Sequence, residues 1–185
     1  PSLHCSSLRR RSVRNPSPPG GFARARSLPG MTHVALVRSA LFDLIASVPE
    51  VGRVHAYQRF ASREAEMKAL YVANIGGADQ LRGWFITRTA TRERAFTLAT
   101  TVQRVSWTIV GYMALADADQ SELSFDWLVE AIRAAWRANP TLGGLVAPVA
   151  SDDEAGIQVD ELATVLFCGV LCHQARLSLK TEFEI

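Results

Sequence analysis

Two runs of alternating apolar and polar residues, 81–89 and 100–113, dominate the middle of the chain. Side chains two positions apart lie on the same face of a β-strand, so each run predicts a strand with one buried face. A charged stretch with few apolar residues separates the runs, which indicates that the two strands form a long β-hairpin. The residues expected on its inner face are Trp84, Ile86, Val105, Trp107, Ile109 and Met113.

Residues 34–48 show the apolar spacing of an α-helix, with large apolar side chains three and four positions apart. Thr32 is placed to cap the first turn and Pro49 to stop the last one. The segment therefore predicts an N-terminal helix of about four turns.

The segment before residue 139 predicts a second helix, which is longer and strongly amphipathic. Asp119 is placed as its N-cap, with Glu122 three residues later in a capping-box arrangement. Metal binding by the acids of residues 117–122 is an alternative, but capping explains these residues at lower cost. The apolar stripe of the helix comprises Phe125, Leu128, Val129, Ile132, Ala135 and Trp136.

The remaining segments predict shorter elements. Residues 51–60, 145–150 and 157–167 are rich in β-branched, aromatic or other apolar residues and predict strands. Residues 62–71 predict a short helix with acids in its first turn, where the helix dipole favours them. From residue 171 to the end, apolar and polar residues alternate, which indicates a final strand antiparallel to the one before it.

Together these elements predict an α+β fold. Its expected form is a mostly antiparallel sheet with a long β-hairpin, packed by an N-terminal helix and one long amphipathic helix. Residues 31–185 have the length of a single domain with its own core. Residues 1–30 are rich in Ser, Pro, Arg and Gly and predict a disordered or extended basic arm. The arm is interpreted either as a translated leader before Met31 or as a segment that contacts acidic surfaces or nucleic acid.

The charge of the chain is divided between arm and body. The chain carries 20 basic and 18 acidic residues, and six arginines but no acid fall within residues 1–30. The remaining 14 basic and 18 acidic residues give the body a net charge of −4, so a basic nucleic-acid-binding surface is not expected there. No apolar run has the length of a membrane span or signal peptide, which predicts a soluble intracellular protein.

The charged stretch between the two hairpin strands is the candidate contact site. Its residues are Arg88, Arg92, Glu93 and Arg94. One interpretation is a solvated hairpin end, since charges at exposed tips need no further cause. The other is a contact for an acidic surface on a partner protein.

No established catalytic motif occurs in the chain. It has no Gly-x-Ser-x-Gly, P-loop, His-Glu-x-x-His or Cys-x-x-Cys pattern. His33, His55 and His173 fall on different elements and are interpreted as half-buried structural side chains rather than bases. The sequence therefore predicts no catalytic residue, cofactor or metal ion, and a protein that is not an enzyme.

Cys168 and Cys172 are predicted to lie in one strand. Four residues span roughly 13 Å at about 3.3 Å per residue, which is too far for a disulfide between them. Both cysteines are therefore interpreted as structural thiols.

A small metal-dependent hydrolase is the alternative from another functional class. It would use Asp152, Asp153, Asp160 and Glu161. Neighbouring carboxylates splay apart instead of converging on a cation, so residues 151–156 are interpreted as a solvated turn.

The order of these elements resembles the tail terminator proteins of long-tailed bacteriophages such as lambda. The similarity covers about residues 31–185, and its most specific parts are residues 105–109 running into 117–127 and the acidic residues 152–154 before the last strands. The basic arm and the short helix of residues 62–71 depart from the lambda protein.

The resemblance implies a structural protein of the virion, assembled in the host cytoplasm. Such a protein forms a ring of six subunits on the head-proximal end of the tail tube, ends tube polymerisation and contacts the head connector. Genomic DNA passes through the ring without sequence-specific binding, and neither a membrane nor a cofactor is involved. A head-completion or neck protein of the same particle is the closest alternative, because it would have similar size and also form a ring.

Overall fold

The computed structural model describes residues 32–95, 97, 100–147 and 155–185. The predicted arm and residues 151–154 of the predicted acidic turn lie outside these ranges. In chain order the described elements are α1 (His33–Ala46), β1 (Arg53–His55), α2 (Glu64–Leu70), β2 (Val72–Ile75), β3 (Ala78–Ala95), β4 (Thr101–Ala114), a 3-10 turn (Asp117–Asp119), α3 (Ser121–Ala138), β5 (Gln158–Phe167) and β6 (Val170–Glu184).

The strands form one sheet in the order β1-β3-β4-β6-β5, with β2 paired to the first part of β3. The short pairing of β1 with β3 is parallel, and all other pairings are antiparallel. The predicted α+β fold with a mostly antiparallel sheet and a long β-hairpin is therefore confirmed. The hairpin pairs from Arg82 opposite Met113 to Ala95 opposite Thr101.

One face of the sheet carries the main core beneath α1 and α3. The side chains predicted for the inner face of the hairpin all belong to this core, and Trp84 and Trp107 are fully buried. Each indole N–H finds an acceptor: Trp84 donates to the Val51 carbonyl at 3.0 Å and Trp107 to the Thr181 hydroxyl at 2.9 Å. These bonds remove the penalty of burying the two polar N–H groups.

A second, smaller core lies on the opposite face of the sheet, where α2 packs. Tyr71 is fully buried at its centre and contacts Phe85, Tyr112 and Phe167 edge-on. Residues 81–86 are consequently buried on both faces, which the prediction of a single buried face does not anticipate.

The predicted strand at residues 51–60 is too long. Only Arg53–His55 pairs with the sheet, and Tyr57 and Phe60 are exposed. The aromatic residues that suggested a strand have no neighbouring strand to pack against, so their β-propensity is not realised.

The predicted strand at residues 145–150 is wrong for its described part. Residues 141–146 form turns, and the Val146 amide bonds back to the Thr141 carbonyl at 3.1 Å. Only Ala147 meets the sheet, through an isolated bridge to Glu182. Residues 148–150 lie outside the described residues.

Of the two predicted N-caps, that of α1 is confirmed and that of α3 is wrong. Thr32 caps α1 as predicted, accepting a 3.3 Å bond from the Ala35 amide. Asp119 does not cap α3, because it belongs to the 3-10 turn, and Gln120 precedes the helix in a left-handed conformation with φ 52°. Among the described residues, no helix combines the length and apolarity needed to cross a membrane.

Candidate functional site

The predicted contact residues lie within strand β3 and not in a loop. Residues 88–94 continue the pairing with β4, apart from a bulge between Arg88 and Ala90. The prediction that this stretch separates the two strands is therefore wrong. The backbone of residues 88–94 is hydrogen-bonded to β4 on one side, and the charged side chains of this stretch lie in solvent. Arg88, Arg92, Glu93 and Arg94 are all exposed.

Positive charge dominates this outer half of the hairpin. Three arginines and Glu93 give residues 88–94 a net charge of +2. The Glu93 carboxylate accepts a 2.7 Å hydrogen bond across the hairpin from the side-chain amide of Gln103. Arg92 lies opposite Arg104, whose guanidinium forms an ion pair with Glu182 on β6. A partner surface that meets this region would therefore meet mainly cations.

The sheet has two open edges at opposite ends. On β3, the strands β1 and β2 cover the outer side only as far as Phe85, so no described strand pairs with residues 86–95 on that side. We call these residues the hairpin edge. On the other side of the sheet, β5 pairs with β6 alone among the described strands, and Gln158–Phe167 forms the β5 edge. Both edges present backbone N–H and C=O groups to which a partner strand could bond.

The β5 edge is acidic and carries exposed apolar side chains. Leu162 is 51% exposed and Leu166 is 74% exposed. Asp160 accepts a 2.8 Å bond from the Ser178 hydroxyl, and Glu161 lies 3.5 Å from the Arg176 guanidinium. Asp160 and Glu161 are thus held on the sheet surface, where a partner strand would pass.

The acids proposed for a hydrolase are brought together only in part. Asp160 and Glu161 are adjacent on β5, whereas Asp152 and Asp153 lie outside the described residues. The described ranges contain no group of three or more His, Cys, Asp or Glu side chains arranged to hold a metal ion.

Comparison with known proteins assigns no family. No protein-family model matches the chain, and no curated protein matches it either. The resemblance to tail terminator proteins thus rests on the residues and element order given above.

The three histidines of the body occupy separate structural positions. His33 Nε2 donates to the Leu145 carbonyl at 2.7 Å, and His55 Nε2 donates to the Leu70 carbonyl at 2.8 Å. Each of these bonds ties a helix or strand to a distant loop or helix end. This agrees with the structural interpretation of both residues.

His173 has a partner that the sequence analysis did not find. Its Nε2 lies 2.9 Å from the Ser121 hydroxyl, although the two residues are 52 positions apart. The Ser121 oxygen also accepts a 2.9 Å bond from the Ala116 amide, which leaves its proton available to His173. Both residues are more than nine-tenths buried, so the pair joins the start of α3 to β6 and offers no open nucleophile.

We expect Ser121→Ala to lower the free energy of unfolding by about 1–2 kcal/mol, because it leaves the buried His173 ring and the partly buried Ala116 amide without the Ser121 hydroxyl. Urea unfolding of both proteins measures the difference. Ser124→Ala is the matched control, since Ser124 is exposed on the same helix, and it should change stability little. Equal effects of the two substitutions would contradict the structural role of the pair.

The two cysteines lie in different environments. Cys168 is in the turn between β5 and β6 with φ 49°, so its predicted place in a strand is wrong. Cys172 lies on β6 and is fully buried in the second core. Burial, reinforced by Cys168, raises the pKa of the Cys172 thiol to about 11. Both thiols are free, as predicted.

The raised pKa of Cys172 predicts an alkaline loss of stability. A thiol whose pKa rises from 9.0 to about 11 on folding favours the folded state below pH 9. This contribution is lost as the pH rises from about 9 to about 11. The unfolding free energy of the natural chain should fall more steeply in this window than that of Cys172→Ala. Parallel curves would rule out the thiol as the cause.

An open groove of about 570 Å³ lies between α3 and the segment that follows α1. Arg82 lies at its base, donating to the Glu50 carbonyl and the Gln80 side chain, while its buried Nε–H has no hydrogen-bond partner among the described residues. Burial lowers the pKa of this guanidinium, and Glu50 opposes that shift. The groove walls include the exposed side chains of Leu123 and Trp127. The groove thus combines apolar walls with the Arg82 guanidinium and the Glu50 carboxylate.

Proposed function

We propose that this chain is a structural protein that closes into a ring and caps the head-proximal end of a phage tail tube. The ring ends tube polymerisation and offers a surface to the head connector. In this role the chain works by shape and charge, and no catalytic residue is required. The resemblance in element order to tail terminator proteins supports the proposal.

The observation that carries the proposal is the pair of unlike open edges at opposite ends of one sheet. A ring with rotational symmetry needs two different surfaces on each subunit, because each copy contacts its neighbours through a head-to-tail interface. The hairpin edge and the β5 edge supply two such surfaces on opposite sides of the subunit.

The proposed mechanism is geometric. The two rims of such a ring consist of different residues, so one rim can match the last ring of the tube while the other does not repeat it. Growth then stops at the ring. The charged residues Arg88, Arg92, Glu93 and Arg94 provide contact charges within this assembly.

The test is to add the purified full chain to polymerising tail tube protein and to measure tube length by electron microscopy. The proposal expects shorter tubes with one capped end, and a mass of several subunits for the protein alone. A chain that stays monomeric and never caps tubes would contradict it. Rings that bind the head connector but never the tube would instead identify a neck protein.

A further inference from the structure

The two open edges carry opposite charge. Residues 86–95 contain three arginines and one glutamate, a net charge of +2, and Gln158–Phe167 contains two acids and no base, a net charge of −2. Pairing either edge with its own kind sets like charges together. Pairing one edge with the other sets opposite charges together, so electrostatics favours the unlike pair.

The directions of the strands also suit the unlike pair. Three antiparallel steps separate β3 from β5, so the two strands run in opposite directions within one subunit. When the rotation axis of the ring runs parallel to the strands, β3 and β5 point in the same directions in the next copy as in the first. The β5 strand of one copy therefore meets the β3 strand of its neighbour antiparallel, which is the more stable type of pairing.

The lengths of the two edges match, and the second half of the β5 edge lacks protection. Each edge is ten residues long. Edge strands usually avoid association through charged side chains, proline, bulges or a covering element. The β5 edge has two acids and a bulge near its start, but residues 162–167 carry no charge, proline or bulge, and Leu162 and Leu166 are exposed. Such an edge is expected to be covered in the assembled protein.

We propose that the β5 edge of one copy pairs with the hairpin edge of the next copy, so that the sheets join into one continuous sheet around the ring. This inference rests on the proposed function and identifies the surfaces that close the ring. The partner of Arg92 is then the acidic pair Asp160 and Glu161 of the neighbouring copy, and Arg88 adds to the positive charge of the same edge.

Two charge-reversed variants of the full chain test this pairing. Arg88→Glu/Arg92→Glu makes the hairpin edge negative, and Asp160→Lys/Glu161→Lys makes the β5 edge positive. All four residues are exposed, so both variants are expected to fold, which circular dichroism checks. Each variant alone has two edges of like charge. We expect each to lose the ring and to sediment as a single chain of 20.2 kDa.

An equal mixture of the two variants should recover the ring. Where two different variants meet, a negative edge always faces a positive edge, either with reversed or with natural charges. Where two copies of the same variant meet, the facing edges have the same charge and repel. The two variants must therefore alternate, so native mass spectrometry should find equal numbers of each and only even numbers of subunits. Natural rings of six subunits meet this condition, and rings with an odd number would not re-form.

Matched controls separate edge pairing from general charge effects. Arg63→Glu/Arg137→Glu and Asp43→Lys/Asp126→Lys change the net charge equally at exposed sites outside both edge strands. Each control is expected to keep the natural ring. If the controls also lose the ring, net charge and not edge pairing governs assembly, and the inference is overturned.

The remaining outcomes decide between this inference and the proposed function. Rings that persist in both edge variants, or variants whose mixture stays monomeric, overturn the edge pairing and leave the proposed function standing. A two-fold dimer that survives in Arg88→Glu/Arg92→Glu would show that β5 pairs with itself and would also overturn the inference. A natural chain that is monomeric contradicts the proposed function itself.

Discussion

Gly111→Ala is expected to lower the free energy of unfolding by about 3 kcal/mol, the upper part of the range for overpacked cores. Gly111 lies on β4 directly opposite Trp84, and a Cβ at this position would overlap the Trp84 indole ring. The ring has no room to move. It is fully buried, bonded to the Val51 carbonyl, and stacked on Phe125 with ring centres 5.8 Å apart.

A double-mutant cycle with Trp84→Leu distinguishes this clash from a general loss of strand stability. Trp84→Leu alone should also be destabilising, because it leaves a cavity in the main core. In the double variant the methyl group added by Gly111→Ala occupies part of that cavity. The loss of unfolding free energy in the double variant should therefore be smaller than the sum of the losses in the two single variants. Strictly additive losses would show that Gly111 is not required by the indole ring.

Glu182→Ala is expected to cost about 2 kcal/mol, because it removes the buried carboxylate that pairs with the Arg104 guanidinium. The Glu182 side chain is 9% exposed and the Arg104 side chain is 28% exposed. The cost stays below that of a fully buried pair because Arg104 keeps some contact with water. Urea unfolding at one fixed protein concentration measures it, since association would otherwise shift the midpoint.

Glu66→Ala is the matched control for this ion pair. Glu66 pairs with Arg63, and their side chains are 56% and 82% exposed. An exposed pair contributes little, so the control should change stability by about 0.5 kcal/mol or less. If the two substitutions had similar effects, the Arg104–Glu182 pair would be no more important than a surface pair.

The hairpin and the long helix were predictable because each has one dominant period. Alternation by two placed Trp107 and Ile109 on the core face, and spacing by three and four placed Phe125 and Ile132 there. These patterns depend only on neighbours along the chain. The Thr32 cap follows from equally local chemistry.

The candidate site was less predictable because it depends on contacts between distant residues. Charge at residues 88–94 is typical of a loop, and only the pairing with β4 reveals a strand with one open side. Similarly, the spacing of apolar residues in β5 does not show that β5 lies at the end of the sheet. The contact between Ser121 and His173 joins residues 52 positions apart, and no local pattern signals it.

The mass of the full chain in solution tests the central claim most directly. Sedimentation and native mass spectrometry over a range of concentrations should find a closed particle containing several copies of the 20.2 kDa chain, six by resemblance to tail terminator proteins. Electron microscopy of that particle should show a ring. A single mass of 20.2 kDa at every concentration, with and without tube protein, would contradict the account.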